Sequence, residues 1–346
     1  MSVELRRGGL HLSGTPLWFD ARRKSELSFV SHAHSDHIAR HERVIATAPT
    51  LRFMEHRLGA LTGALPVPYR RPFELGPLVI ELLPAGHVFG SAQIRVTRED
   101  GTRIVYTGDF NLSPGLATEP AEVAECDILV MESTFGHPRY SFAPKQETFA
   151  AVEEWVRGQL ERGVAPIILA YSLGKAQEAI KFLTTQGFDV CAHSSVAEMA
   201  QLYFELGMPV GKVRAFDGHF REGEVGVFPP HALGRKAVRQ IWPRALAVLT
   251  GWAVDPGAAR RYGADIAFPV SDHADFAQLL SYAKQTGATE VLTLHGFAHE
   301  LAASLRQEGF CARAVDQPLQ LDLFGAPTPA RVKARPAKRR AARKSR

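Results

Sequence analysis

Residues 31–37 read Ser-His-Ala-His-Ser-Asp-His and place four side chains that can bind a metal ion within six positions. Imidazole nitrogens suit zinc, and a carboxylate suits zinc or the harder manganese. The apolar residues 27–30 just before this segment predict the end of a buried strand. A strand that leads into three histidines and an aspartate can present ligands to two neighbouring ions. The candidate ligands are His32, His34, Asp36 and His37.

The same arrangement, an apolar strand followed by an acidic residue or a histidine, recurs along the chain. Loops at the ends of strands commonly carry functional residues because a rigid sheet positions them. Asp109, which follows the predicted strand 103–107, could bridge two cations with its two carboxylate oxygens. The other residues in this position are His87 after 78–84, Glu132 at the end of 127–132, His273 after 266–270 and His295 after 290–294.

From about residue 137 to 268 the pattern changes to strands that alternate with helices. Strands are predicted at 165–171, 189–192 and 245–250, and helices at 146–162 and 176–184. Such alternation is typical of a small parallel-sheet unit. We interpret this segment as an insertion into the first domain.

A turn at residues 172–175, Ser-Leu-Gly-Lys, joins one predicted strand of this insertion to a helix. A glycine-containing turn that opens a helix exposes backbone amides and the positive end of the helix dipole to an anion. The turn therefore offers a phosphate-binding hypothesis for Ser172, Gly174 and Lys175, whereas an ordinary strand–helix connection is the commoner explanation of so short a motif.

The positive charge of the chain is concentrated at its end. Residues 331–346 hold nine Lys or Arg and no acid, and removing them from the net charge of +5 leaves −4. The composition of residues 329–346 predicts a disordered basic tail. Such a tail is either a solubility element or a flexible arm that attracts nucleic acid.

The three cysteines, Cys126, Cys191 and Cys311, match no disulfide or zinc-binding spacing. We therefore expect a reducing, cytoplasmic location. The sequence also shows no signal peptide and no run of membrane-spanning length, which argues against a secreted beta-lactamase and against a membrane partner.

Together these motifs resemble the beta-CASP nucleases of the metallo-beta-lactamase superfamily, and most of all bacterial exonucleases associated with DNA ligases. The resemblance implies an α/β fold: a metallo-beta-lactamase αββα sandwich with an inserted beta-CASP cap domain, a small parallel α/β unit. It divides the chain into residues 1–136 and 269–328 for the sandwich, 137–268 for the cap and 329–346 for the tail. The matching positions are Asp20, 32–37, 86–87, 107–109, 132–136, 271–275 and 294–296.

The resemblance also implies ligand sets for two divalent ions, zinc or manganese. His32, His34, His87 and Asp109 would hold one ion. Asp36, His37, Asp109 and His295 would hold the other, with Asp109 as the bridge. Asp20 would orient a ligand from behind.

In the mechanism implied by the family, a hydroxide between the two ions attacks phosphorus. His273 would protonate the leaving oxygen and Glu132 would orient it. Asp36 and Asp109 belong to the same catalytic set because they position the ions. The products would be 5′-phosphate and 3′-hydroxyl ends.

The function implied is a metal-dependent nuclease, a DNA exonuclease of DNA repair or processing, with DNA as the preferred nucleic acid and a DNA ligase or helicase as partner. The alternative is a ribonuclease similar to ribonuclease J or the mRNA-cleaving branch. His295 matches those RNA-cleaving members and many prokaryotic ones, whereas the compact cap favours DNA. An inactive scaffold is disfavoured because every ligand position is filled. Thioester or lactam hydrolysis would not require the pairing of Glu132 with His273.

Overall fold

The structure is a computed structural model that describes residues 3–316. The amino-terminal part of the chain forms the first sheet. The predicted tail at 329–346, and residues 317–328 of the segment predicted as 269–328, lie outside the described residues. Strands β1 to β3 pair antiparallel, and β3 to β6 pair parallel. The helix α1, Ala48–Leu58, begins where the Thr47 hydroxyl accepts from the amide of Thr50. In sheet order, which is also chain order, the strands are β1 Val3–Arg6, β2 Gly9–Leu12, β3 Leu17–Phe19, β4 Leu27–Phe29, β5 Arg43–Ala46 and β6 Ala64–Pro66.

The second sheet starts as an antiparallel meander and then becomes parallel. β7 to β10 pair antiparallel in succession, whereas β10 pairs parallel with β11. Its first five strands are β7 Phe73–Leu75, β8 Leu78–Pro84, β9 Ala92–Thr97, β10 Arg103–Tyr106 and β11 Ile128–Glu132.

A third sheet interrupts the second one in the chain, and all of its strand pairs are parallel. Its order is β14-β13-β15-β12-β16-β17. The predicted alternation of strands and helices is thus confirmed, while the domain boundaries stay predictions. The strands are β12 Ala165–Leu169, β13 Val190–Ala192, β14 Val213–Ala215, β15 Val225–Phe228, β16 Arg244–Leu249 and β17 Ile266–Phe268. The helices are α2 Lys145–Glu161, α3 Lys175–Thr185, α4 Ser194–Glu205, α5 Lys236–Arg239 and α6 Ala258–Arg261, with 3₁₀ turns at Pro230–Gly234 and Gly251–Val254.

The chain then returns to complete the second sheet. α7 Phe276–Thr286 precedes β18 Glu290–Leu294, and α8 Ala298–Gln307 precedes β19 Cys311–Ala314. The final order of the sheet is β19-β18-β11-β10-β9-β8-β7. β8, β10, β11 and β18 therefore point the same way, and their carboxyl ends meet at one edge.

Apolar residues arrange these elements in layers. The first and second sheets share a core that includes Phe29, Ile80 and Leu292, and the outer face of the second sheet packs on α7 and α8. The third sheet is buried on both faces. The mixed α/β class is confirmed. Within the described part of the chain, the structure has no helix long and apolar enough to cross a membrane.

Candidate metal centre and catalytic site

Histidine and acidic side chains converge at the edge where the parallel strands of the second sheet end. His87 lies beyond β8, Asp109 beyond β10, Glu132 at the last position of β11 and His295 directly after β18. The loop after β4 brings residues 32–37 from the first sheet to the same place. The strand ends predicted to carry these residues are confirmed.

Three imidazoles and one carboxylate form a group of four among the described residues, in which the ligand atoms all lie within 4.8 Å of one another. His34 Nδ1 lies 3.0 Å from His32 Nε2 and 3.1 Å from His87 Nε2. Asp109 Oδ2 lies 3.5 Å from His32 Nε2. Ligand bonds of about 2.0–2.1 Å around a tetrahedral zinc separate neighbouring nitrogens by about 3.3–3.4 Å, so these spacings need only a small expansion.

The other ring nitrogen of each histidine has an oxygen partner behind it. His32 Nδ1 is 3.0 Å from the Ser31 hydroxyl, and His87 Nδ1 is 2.8 Å from the carbonyl oxygen of Asp272. His34 Nε2 is 3.1 Å from the carbonyl oxygen of Leu173. A carbonyl can only accept, so His34 and His87 donate outward and direct their lone pairs into the cluster. Such outward hydrogen bonds fix metal-binding tautomers.

Burial keeps these three rings neutral. It lowers the pKa of His34, lowers that of His32 well below its ordinary value, and lowers that of His87 to about 3. Three neutral imidazoles whose lone pairs face one carboxylate make a donor set that fits zinc or manganese.

His37 lies on the other side of Asp109, with its Nε2 3.3 Å from Asp109 Oδ2 and 3.7 Å from Asp36 Oδ2. Its ring centroid is 6.1 Å from that of His295, whose φ of 64° turns the chain sharply after β18. Burial alone would lower the pKa of His37, but Asp109 and Asp20 raise it well above its ordinary value. This location therefore favours a positive charge, whether it is a proton or a metal ion.

Asp20 holds His37 from behind, as the sequence motif implies. Asp20 Oδ2 accepts from His37 Nδ1 at 2.8 Å and from the Tyr106 hydroxyl at 2.7 Å. The amide of Ser31 donates to Asp20 Oδ1 at 2.7 Å. The tyrosine was not identified from the sequence, although it closes the strand that leads to Asp109.

The buried Glu132 pairs with the partly exposed His273 next to the cluster. His273 Nδ1 lies 3.0 Å from both carboxylate oxygens of Glu132, which also accepts from the amide of Phe110 at 2.8 Å. Burial alone would lower the pKa of His273, but Glu132 raises it to about 9. The pair therefore holds a proton on the ring and leaves His273 Nε2, which lies 3.9 Å from Asp272 Oδ1, as the nitrogen that can exchange one.

The phosphate-binding role of the turn at 172–175 stays a prediction, and two of its residues make contacts within the protein. Lys175 Nζ, which was expected to hold a phosphate, is buried and lies 2.7 Å from Asp272 Oδ1. The amide of Gly174 donates to the Gln177 side chain at 2.8 Å. A motif read locally could not reveal this, because the partner of Lys175 is 97 residues away. Of the three predicted phosphate-binding residues, only Ser172 lines the cavity over the metal cluster.

That cavity has a volume of about 660 Å³ and two kinds of wall. One wall carries the candidate metal ligands. The other comes from the segment around the third sheet and includes Tyr171, which is 53% exposed, and Trp252. Asp272, which sequence reasoning noted only as part of a motif, joins the two walls because it contacts both His87 and Lys175.

Comparison with known proteins gives several relatives and no matching protein-family model. A probable DNA ligase of Opitutus terrae is 37% identical over 327 residues, which are 94% of this chain and 32% of that protein. The RNase aCSPSF2 of Saccharolobus solfataricus is 29% identical over 190 residues, 46% of this chain and 38% of the relative. The 5′ exonuclease Apollo of Gallus gallus is 29% identical over 232 residues, 60% of this chain and 49% of the relative.

The chain thus spans about a third of the length of the ligase and less than half of each of the other two relatives. Among solved structures, a protein of unknown function from Enterococcus faecalis matches with a TM-score of 0.58 and 14% identity. The match covers 87% of this chain and 80% of that one, and it shows the fold alone.

Proposed function

The chain belongs to the beta-CASP nucleases of the metallo-beta-lactamase superfamily, and we propose that it is a metal-dependent hydrolase that removes nucleotides from the ends of DNA. The observation that carries the proposal is the convergence of the His32, His34, His87 and Asp109 cluster with the Glu132–His273 pair on one cavity. The first is a donor set for a metal and the second is a proton donor. A metal-dependent phosphodiester hydrolysis can use both, the metal to activate water and the proton donor to protonate the leaving oxygen.

The architecture that we propose is an αββα sandwich formed by the first two sheets, with residues 137–268 as a beta-CASP cap. Support comes from the topology, because β11 pairs directly with β18 although the whole third sheet lies between them in the chain. The cavity between cap and sandwich is then a slot for the substrate.

Two divalent ions, zinc or manganese, would polarise the phosphoryl oxygens and make a water nucleophilic at neutral pH. His32, His34, His87 and Asp109 would hold the first. Asp36, His37, Asp109 and His295 would hold the second. Asp109 is the natural bridge, since its Oδ2 lies 3.5 Å from His32 and 3.3 Å from His37.

The protein's own contribution to the chemistry is the proton. Glu132 fixes His273 through Nδ1 and stabilises its protonated form, so that Nε2 can donate to the leaving oxygen. Protonation of a leaving 3′ oxygen gives 3′-hydroxyl and 5′-phosphate products. General acids of this kind contribute about 10²–10⁴-fold to such rates.

Action at an end is supported by the two-walled cavity. A free single strand can enter a slot between two units more easily than the middle of a duplex can. Tyr171 and Trp252 offer aromatic faces on which successive bases can stack irrespective of sequence. The near-complete coverage by a probable DNA ligase supports a place beside DNA ligation in repair, with a DNA ligase or a helicase as partner.

RNA is the second candidate substrate. His295 completes the second ligand set in the manner of RNA-cleaving members, and one relative is named an RNase. The geometry of the metal cluster serves either sugar, so the choice depends on the cap.

The deciding experiment compares end-labelled DNA and RNA of equal sequence, each as a linear strand and as a covalently closed circle. Zinc, manganese and magnesium are supplied in turn, and His273→Ala serves as the control for contaminating nuclease. We expect stepwise shortening of linear DNA and little cleavage of the circle. Rapid cleavage of the circle would make the protein an endonuclease, and faster digestion of RNA would make it a ribonuclease.

A further inference from the structure

A second cavity, about 470 Å³ in volume, opens on the other side of the metal ligands. It shares Asp36, His37 and His295 with the cavity under the cap. These candidate ligands therefore separate the two cavities. If the reacting phosphate of a nucleic-acid strand lies at these ligands, the strand continues from them in two directions. One of these directions leads into the second cavity.

The rim of the second cavity is the turn between β1 and β2, Arg6-Arg7-Gly8-Gly9, together with Arg22. Gly9 has φ 137°, and a side chain there would place its Cβ 3.3 Å from the Cα of Ala21. The amide of Arg22 donates to the carbonyl of Gly8 at 2.8 Å. The glycines thus let the turn approach the 20–22 loop closely, and this brings Arg7 and Arg22 to one rim.

Among the described residues, some of the positively charged side chains at this rim have a carboxylate partner and others do not. Arg6 pairs with Glu4 at 3.1 Å, and at the far side His299 pairs with Asp316 at 3.3 Å. Arg7 and Arg22 are exposed, and neither has a carboxylate partner among residues 3–316. Two unpaired guanidinium groups close to the metal ligands are suited to phosphate, which accepts a bidentate hydrogen bond from arginine.

Part of the cavity lining is apolar. Leu5, which is 55% exposed, lines it together with Leu10 and Val315. Two arginines can bind the anionic phosphate of a nucleotide, and the exposed leucine beside them can contact an apolar face of its sugar or base.

We propose that this second cavity binds the nucleotide next to the reacting phosphate, with Arg7 and Arg22 holding the backbone phosphate of that nucleotide. The inference rests on the proposed function, since it takes the strand to cross the metal ligands. It adds a subsite whose two arginines come from the first sheet and its loops.

The test measures binding of a single-stranded DNA oligonucleotide to the metal-free full chain by fluorescence anisotropy at several salt concentrations. Each lost phosphate contact should flatten the slope of log K against log salt by about 0.7. We expect this change for Arg7→Ala and for Arg22→Ala. The matched control is Arg23→Ala, which removes the same charge from the adjacent residue, exposed but outside the cavity lining.

A set of oligonucleotides, each with one neutral methylphosphonate linkage, then locates the contact. At the linkage that Arg22 holds, neutralisation should weaken binding to the wild type and have a smaller effect on Arg22→Ala, since the two changes remove the same interaction. Additive losses at every linkage would overturn the assignment. Equal slopes for all four proteins, or the same flattening for Arg23→Ala as for the two rim variants, would also overturn it.

Hydrolysis of a small phosphodiester such as bis(p-nitrophenyl) phosphate by the metal-loaded wild type separates this proposal from the proposed function. If the oligonucleotide binds with the expected pattern but no diester is cleaved, the subsite stands and the nuclease function fails. If diesters are cleaved and the rim variants bind like the wild type, the nuclease function stands and the subsite is contradicted. A wild type that does not bind the oligonucleotide contradicts the subsite directly.

Discussion

Replacing Lys175 by methionine should leave a carboxylate buried without its cation. Lys175 Nζ lies 2.7 Å from Asp272 Oδ1, and the two side chains are only 5% and 6% exposed. The backbone carbonyl of Asp272 accepts from His87 Nδ1, so the pair lies directly behind a candidate metal ligand. The change should therefore lower both the stability of the fold and the affinity for metal.

The size of the effect follows from this burial. Removing one partner of a buried ion pair costs about 3–5 kcal/mol. With an unfolding entropy of about 2.1 cal/mol/K per residue, a chain of 346 residues should lose about 4–7 °C in Tm. Loss of a hydrogen-bonding partner behind a ligand typically costs about 10–100-fold in metal affinity, and a displaced Asp272 carbonyl should have an effect in that range.

The loss should also depend on pH in a defined direction. Burial alone would raise the pKa of Asp272, but Lys175 holds it well below its ordinary value. The wild type therefore keeps the stabilisation above the ordinary pKa of aspartate and loses it only as the pH falls through the lower folded value. In Lys175→Met the pKa of Asp272 should rise from its wild-type value, because burial is then opposed mainly by His273, whose Nε2 lies 3.9 Å from Asp272 Oδ1. The deficit should be full at pH 8 and no larger at pH 5.

Calorimetry of the metal-free proteins at the two pH values measures this. The matched control is Lys284→Met, whose partner Glu308 lies 2.8 Å away in a pair with side chains 50% and 43% exposed. Such an exposed pair contributes about 0–1 kcal/mol. If Lys175→Met and Lys284→Met have the same Tm at both pH values, the buried pair of Lys175 and Asp272 does not stabilise the fold.

Three further predictions concern the site and the tail. His273→Ala should slow cleavage by about 10²–10⁴-fold while the metal content stays unchanged, and lost metal would instead make His273 a ligand. Asp20→Asn should weaken binding of the ion held by His37 by about 10–100-fold in a competition titration, with Asp217→Asn, an exposed aspartate of the third-sheet segment, as the unaffected control. Deleting residues 331–346 should flatten the salt dependence of oligonucleotide binding by about 2–3 units if three or four of its basic residues contact phosphates. An unchanged slope would leave the tail as a solubility element.

Residues that follow a strand directly could be predicted from the sequence. The apolar run before Asp109 and the run that ends in Glu132 each predict a strand, and parallel strands bring their carboxyl ends together. Among the elements that were not predicted, two carry a clear signal in the sequence. β9 alternates apolar and polar residues over Ala92–Thr97, and α7 begins after Asp275, whose carboxylate caps the amide of Gln278.

Contacts between distant segments left no such signal. Tyr106 reaches Asp20 across 86 positions, and the Leu173 carbonyl reaches His34 across 139. These residues lie at ordinary strand and turn positions, so only the assembled fold shows that they contact Asp20 and the candidate ligand His34. The contact between Lys175 and Asp272, 97 positions apart, left no signal for the same reason, and phosphate binding by Lys175 stays a prediction.

Metal stoichiometry tests the central claim most directly. The wild type and Asp109→Asn should be dialysed exhaustively, loaded with zinc or manganese, and analysed by mass spectrometry of the elements beside turnover on linear DNA. We predict about two ions per chain for the wild type, and weakened binding of both ions in Asp109→Asn, because a neutral amide is a poorer bridge. Full activity with a single ion per chain would contradict the dinuclear site.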